Sequence, residues 1–162
     1  MVDHLYLSAE LNNVTNLRPQ DSTQQPFEYN FKIQCTKCRE THDNVITINL
    51  YEKHEIDGSR GEASYVGACS FCKAKNNINI ELPKKYEGYK YEHNGSKTKM
   101  LVIDSRGCEI LEYIADGPFV CKGLETDTEF KEVLLEDGEW YDYDDKAGDE
   151  TSIVEVQWKI AK

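Results

Sequence analysis

The stretches Cys35-Thr36-Lys37-Cys38 and Cys69-Ser70-Phe71-Cys72 decide how this chain folds, and 30 residues lie between them. Each is a Cys-x-x-Cys turn, which brings two sulfurs to the same side of a tight loop. Two such turns can supply four thiolates to one tetrahedral metal ion, most often zinc. The sequence therefore predicts a Zn²⁺ site whose ligands are Cys35, Cys38, Cys69 and Cys72.

A site of this kind is structural rather than catalytic. Four thiolates close the coordination shell and leave no position for water or substrate. Zinc binding can contribute about 10–16 kcal/mol of apparent free energy to folding, against about 5–15 kcal/mol for the whole stability of a typical domain. We therefore expect the region around the site not to fold without metal.

Other chemistries remain open for the same cysteines: disulfides, a redox pair, an iron site, or two separate half-sites. Disulfides need an oxidising compartment, and Met1–Leu5 carries neither the basic nor the apolar segment of a secretory signal. A thioredoxin-like pair would open a helix in a βαβ unit, and no helical pattern follows either turn. We expect a cytoplasmic protein, with the nucleus as a second compartment.

Length and charge suggest one domain with two unequal halves. The 162 residues, 39% of them hydrophobic, suit a single zinc-binding β-sandwich domain over 1–162, with a zinc-knuckle half at 1–99 and an acidic β half at 100–162. Residues 1–99 hold 13 acidic and 13 basic side chains, and residues 100–162 hold 17 and 6, so the net charge of −11 lies in the second half. A nucleic-acid partner is therefore not expected. No run approaches the ~20 apolar residues of a membrane span.

The lysine-rich segment 73–99 is the local exception to this acidity. It contains seven lysines and three glutamates. A solvated loop is the favoured interpretation, and a phosphate-binding patch is the alternative.

Alternation of apolar and polar residues dominates the chain. Phe27 to Gln34 alternate directly into the first turn, and Val154 to Ile160 form the clearest strand. No segment keeps a helical period, so the sequence predicts an all-β protein: an antiparallel β-sandwich of two lobes with a zinc-ribbon-like site of four cysteines. We expect only a short first strand around Leu5 and Leu7, a turn-rich segment at 12–19, a turn at Arg106-Gly107 and a long loop or irregular hairpin at 83–99.

The remaining candidate groups have modest interpretations. Cys108 and Cys121 lie in or beside apolar strands and are expected to be small buried hydrophobes rather than a second metal or redox pair. His42, four residues after Cys38, could replace a thiolate, but a surface or supporting role is favoured. The acidic segment 139–146 breaks the calcium-loop pattern at Lys146 and is expected to be a solvated loop.

Three aromatic residues interrupt this acidic segment: Trp140, Tyr141 and Tyr143. An exposed acidic and aromatic surface would suit protein docking. The competing interpretation, slightly favoured, is that Trp140 and one tyrosine belong to the core.

The order of these motifs resembles one eukaryotic family. It comprises Asn-Val-Thr-Asn-Leu-Arg-Pro at 13–19, the two Cys-x-x-Cys turns, and Gly-Glu-Trp-Tyr-Asp-Tyr-Asp-Asp-Lys-Ala at 138–147. The chain is similar over nearly its whole length to CXXC-motif-containing zinc-binding proteins, formerly a domain of unknown function. The resemblance implies a small β-sandwich with one zinc on the same four cysteines, and it brings no established enzymatic activity that could be transferred to this chain.

These observations favour a non-enzymatic intracellular zinc protein that binds an unidentified protein partner and is monomeric, with no catalytic residue. Two alternatives stay open: a zinc-ribbon module that contacts nucleic acid, and a metal-handling or thiol redox protein.

Overall fold

The computed structural model describes all 162 residues and contains fourteen β-strands, one 3₁₀ turn at Tyr91–His93 and no α-helix. No helix in it has the length and apolarity that crossing a membrane requires. The strands are β1 (Val2–Asn12), β2 (Val14–Pro19), β3 (Tyr29–Cys35), β4 (Ile46–Ile48), β5 (His54–Glu55), β6 (Glu62–Ala63), β7 (Tyr65–Ala68), β8 (Lys75–Glu81), β9 (Thr98–Arg106), β10 (Cys108–Ile114), β11 (Pro118–Gly123), β12 (Glu129–Leu134), β13 (Trp140–Asp144) and β14 (Asp149–Ala161).

The largest layer is a six-stranded antiparallel sheet in the order β13-β14-β1-β9-β8-β7. Its central strand, β1, pairs with β14 on one side and with β9 on the other. Alternate residues of β1 are fully buried, as the period of two in a strand requires: they are Leu5, Leu7, Ala9 and Leu11. Strands from both halves of the chain therefore build this one sheet.

Two three-stranded sheets, β10-β3-β4 and β12-β11-β2, share a core with the large sheet, and β5-β6 form a separate hairpin. The core is one cluster of 27 buried residues. Trp158 on β14 packs against it and contacts Tyr113 of β10 and Phe119 of β11, with ring centroids 4.8 and 5.8 Å apart. Aromatic contacts thus join the large sheet to both smaller ones.

At two corners the chain passes from one sheet to another without reversing. β1 becomes β2 at Asn13, and β9 becomes β10 at Gly107, with φ of +60° and +78°. Glycine adopts this left-handed conformation freely and asparagine tolerates it. One such residue kinks a strand enough to carry it into the next sheet.

The all-β antiparallel fold with a four-cysteine cluster is confirmed. Residues 65–68 form β7, and the chain reverses around Asp57-Gly58 between the paired strands β5 and β6. The likeness to a zinc ribbon stays a prediction. The single domain over 1–162, with its halves at 1–99 and 100–162, stays a prediction as well.

Four local expectations were wrong. Residues 14–19 form β2, because the turn-forming asparagines kink an extended chain rather than reverse it. Arg106-Gly107 is likewise a corner instead of a turn. The first strand is 11 residues long, because it lies between two partner strands. Residues 140–144 form β13, which pairs with β14.

Asp144 explains why the acidic segment is not a loop at this point. Its carboxylate is buried and accepts hydrogen bonds from the hydroxyls of Thr126 and Thr128 at 2.6 and 2.8 Å. The backbone N–H groups of Lys146 and Ala147 donate to it as well. These bonds, led by that of Thr126, hold the pKa of Asp144 below its ordinary value.

Candidate metal centre

The four predicted cysteines lie together. Their sulfurs are all within 4.8 Å of one another. The shortest contacts join one turn to the other: Cys35 Sγ to Cys72 Sγ at 3.7 Å and Cys38 Sγ to Cys69 Sγ at 3.6 Å. A tetrahedron with Zn–S bonds of about 2.3 Å has S···S edges of about 3.8 Å. The sulfur positions therefore fit a zinc ion at their centre, and the contacts are too long for S–S bonds of about 2.05 Å.

The two turns have the same backbone structure. Cys35 N–H donates to Glu40 O, and Arg39 N–H donates back to Cys35 O, both at 3.0 Å. In the second turn Cys69 N–H donates to Ala74 O and Lys73 N–H donates to Cys69 O, both at 2.9 Å. This equivalence accounts for the similar pattern of the two sequence segments.

The residue that follows the second cysteine closes each turn. Arg39 and Lys73 both have φ of +66°, a conformation that costs a residue other than glycine about 1–2 kcal/mol. These positions could not be recognised from the sequence, because long basic side chains give no sign of a left-handed conformation.

Hydrogen bonds favour the thiolate form of the first cysteine in each turn, which is the form that a metal requires. The Cys38 N–H aimed at the Cys35 sulfur is the largest effect that lowers the pKa of Cys35, to about 6. The N–H of Cys72 lowers the pKa of Cys69 in the same way. In each turn the first cysteine is buried and the second is half-buried, so the centre has one inner and one outer side.

Basic residues flank the cysteines in both turns of the sequence. A zinc ion with four thiolates carries a net charge of −2, and Lys37, Arg39, Lys73 and Lys75 lie within or just after the two turns in the sequence. Arg39 also pairs with Glu109 at 3.7 Å, and Lys75 with Asp57 at 3.8 Å. The Lys73 ammonium donates to the Ser70 carbonyl oxygen inside the second turn.

The corner at Gly107 joins the strands that carry the two turns. Arg106 pairs with Asn77 of β8, which follows the second turn, and Cys108 pairs with Cys35 at the end of β3. Thr36 N–H donates to Gly107 O at 3.3 Å. The two turns are therefore held near each other by β9 and β10 as well as by the sulfurs.

The other candidate residues lie outside the four-sulfur group. Cys108 and Cys121 are buried with 1% and 3% of their surface exposed, as expected. Burial raises the pKa of each thiol to about 12. His42 is half-buried and is not part of the metal-holding group.

The aromatic residues of the acidic segment divide between core and surface. Trp140 packs against Phe130, with ring centroids 5.4 Å apart, as expected. The expectation that one tyrosine also belongs to the core was wrong, because Tyr141 and Tyr143 project from the opposite face of β13 and are 64% and 49% exposed. In the lysine-rich segment the lysines are exposed except for Lys90, which is half-buried and pairs with Glu87.

The model of one protein family, described as CXXC motif containing zinc binding protein, eukaryotic, matches residues 4–161. The chain belongs to this family. A UPF0587 protein of Schizosaccharomyces pombe is 43% identical over 158 residues, which cover 98% of this chain and 96% of that protein. The human CXXC motif containing zinc binding protein is 33% identical with the same coverage.

Solved structures share the fold. The crystal structure of C1orf123 superimposes with a TM-score of 0.89 at 32% identity and covers 100% of this chain and 99% of that one. A Plasmodium falciparum protein with a TM-score of 0.87 is 21% identical, which indicates a common fold. The family and the sulfur cluster together confirm zinc as the cofactor, while the assignment of each cysteine as a ligand stays a prediction.

Proposed function

We propose that the zinc is structural and that the protein acts without catalysis, by binding a protein partner through its surface. The observation that supports this is the closed set of four sulfurs at tetrahedral spacing. When zinc is bound there it supplies a cross-link between the two turns, with no coordination position left for a substrate.

The placement of the turns supports a cross-linking role. Cys35 ends β3 of a small sheet, whereas Cys69 and Cys72 lie between β7 and β8 of the large sheet. A metal ion bound by both turns would fasten the edge of one sheet to the other. Its contribution would then be to the stability of the surface that the partner meets.

We also propose a compartment, a class of partner and an oligomeric state. All six cysteines are free, which supports a reducing compartment, and we place the protein in the cytoplasm, with the nucleus as a second compartment. The net charge of −11 favours a protein over a nucleic acid as partner. We propose a monomer.

Metal handling is the second candidate, favoured by the half-buried state of Cys38 and Cys72. These two residues are the more exposed members of the cluster, so a competing thiol would approach from their side. A protein that delivers zinc needs such access, whereas a structural site does not.

Zinc transfer to a chromogenic chelator separates the two candidates. The structural role predicts that zinc leaves at the rate of unfolding, and that iodoacetamide does not alkylate the cysteines of the zinc-loaded native protein. Rapid zinc transfer from a protein that keeps its near-ultraviolet circular dichroism would refute the structural role and favour metal handling.

A further inference from the structure

We infer that the open edge of β13 binds a basic, extended protein segment as an added strand; this inference rests on the protein-binding role proposed above. β13 is the terminal strand of the six-stranded sheet and pairs only with β14. Its outer edge makes no hydrogen bond to another backbone segment, while the N–H of Tyr143 donates to the Asp142 carboxylate at 2.7 Å. At the opposite end of the sheet, β7 contacts the β5 strand. The β13 edge therefore presents backbone groups that another strand could pair with.

An exposed pair of tyrosines marks this edge. Tyr141 and Tyr143 are two residues apart, so they project from the same face of β13. They are 64% and 49% exposed, and Tyr141 is the most exposed large hydrophobic residue of the chain. Glu150 lies directly opposite Tyr143. The rings of tyrosine attract Lys and Arg side chains placed over them, and the carboxylate adds to that attraction.

The charge around the edge selects a basic occupant. Five carboxylates surround the hairpin of β13 and β14, and none of them forms a salt bridge: Glu139, Asp142, Asp145, Asp149 and Glu150. Lys146 is the single cation between residues 139 and 150. A neutral or acidic strand laid against this edge would desolvate unpaired charges. A strand rich in Lys and Arg would pair with them instead.

The length of the edge sets the size of the partner segment. β13 has five residues, which at about 3.4 Å per residue extend for about 17 Å. The expected ligand is therefore an extended segment of about five residues with alternating Lys or Arg, joined by main-chain hydrogen bonds. Pairing is sequence-tolerant along the backbone, so the basic side chains provide the specificity.

Synthetic peptides test the mode of binding. The probe is a fluorescein-labelled decapeptide of alternating Arg and Thr, followed by anisotropy with the zinc-loaded full chain. We expect saturable binding that weakens with salt, and no binding of the Glu–Thr analogue. An analogue N-methylated at alternate residues keeps the charge but loses one row of N–H donors, and it should bind about fivefold or more weakly. Equal binding of the methylated and parent peptides would overturn the inference.

Variants of the edge provide the second arm. The double variant Tyr141→Ala/Tyr143→Ala should weaken the Arg–Thr peptide about fivefold or more. The matched control is Tyr91→Ala, which removes a tyrosine that is 42% exposed in the lysine-rich segment and should leave binding unchanged. Zinc content and melting temperature establish that all variants are folded. If the double variant binds like the wild type, this edge is not the docking surface.

A cross-linking experiment separates failure of the edge from failure of the proposed function. The zinc-loaded wild type and the double tyrosine variant are cross-linked to partners in their native cell. Recovery by the wild type and loss by the variant agrees with the inference. If the wild type and the variant retain the same partner, binding at the β13 edge is refuted and the protein-binding role stands. If neither protein recovers a partner, the protein-binding role is refuted as well.

Discussion

Replacing Gly107 with alanine tests the corner that joins the two cysteine turns. A Cβ atom at this position would lie 2.3 Å from the carbonyl oxygen of Lys75 and 3.1 Å from Cα of Asn76. Both contacts are with backbone atoms of the segment that follows Cys72, so no side chain can rotate away. The residue also has φ of +78°, which alanine adopts only with strain.

The expected loss follows from three contributions. The left-handed conformation costs an L-residue about 1–2 kcal/mol, and an extra methyl group in a closely packed site costs about 1–3 kcal/mol. The reduced freedom of the unfolded chain offsets about 0.4–1 kcal/mol. We therefore expect Gly107→Ala to lower the free energy of unfolding by about 2–4 kcal/mol, which for a chain of this size lowers the melting temperature by about 5–15 °C.

Gly95→Ala is the matched control. Gly95 has the same φ of +78°, but no atom lies within 4 Å of the position of its Cβ. It therefore bears the conformational cost without the overlap, and we expect a loss of about 1 kcal/mol or less. The difference between the two variants isolates the close approach at the corner.

Urea unfolding at fixed free zinc measures both stabilities, and competition with a chelator measures zinc affinity. We expect Gly107→Ala also to bind zinc more weakly, because the displaced segment leads directly into the second turn. Equal losses of stability in the two glycine variants would refute the idea that residues 106–108 brace the metal centre.

Three further predictions concern the thiols, the buried hydroxyls and the buried carboxylate. Cys35→Ser should release zinc and lower the melting temperature sharply. Cys108→Ala should keep one zinc per chain by elemental analysis, and loss of metal from Cys108→Ala would contradict the predicted set of ligands. Tyr89→Phe should lower the free energy of unfolding in urea by about 1–3 kcal/mol, because the Tyr89 hydroxyl lies within 3.2 Å of four backbone groups. Tyr86→Phe should leave stability unchanged, since the buried Tyr86 hydroxyl has no hydrogen-bond partner. A larger loss of stability from Tyr86→Phe than from Tyr89→Phe would count against this account. The lowered pKa of Asp144 means that its carboxylate stabilises the fold above the ordinary aspartate pKa of about 3.9 and loses this effect as pH falls through the lower folded value. The difference in unfolding free energy between the wild type and Asp144→Asn should therefore become smaller in acid. A difference that does not depend on pH would argue against this role.

The sequence was sufficient for the metal centre because its signal is local. Each Cys-x-x-Cys turn closes within a few residues, and only the meeting of the two turns depends on the fold. Alternating strands such as Phe27 to Gln34 were also visible, since burial on one face leaves a period of two.

The features that the sequence does not predict depend on pairing between residues that are far apart in the chain. A left-handed Asn13 or Gly107 fixes one backbone angle but does not tell whether the chain reverses or changes sheets. That outcome is decided by pairing across the sheet, as between Cys108 and Cys35. The acidic composition of residues 139–146 is typical of a loop, and pairing with β14 makes part of it a strand.

The corner at residues 106–108 also imposes an order on biosynthesis. All four thiols are part of the nascent chain once Cys72 is made, yet the strands that brace their two turns, β9 and β10, extend from Thr98 to Ile114. A nascent chain that stops before Thr98 has every ligand but lacks the shared partner that brings the ligands together. Metal acquisition is therefore expected to be completed late in translation, when the second half of the polypeptide organises the first.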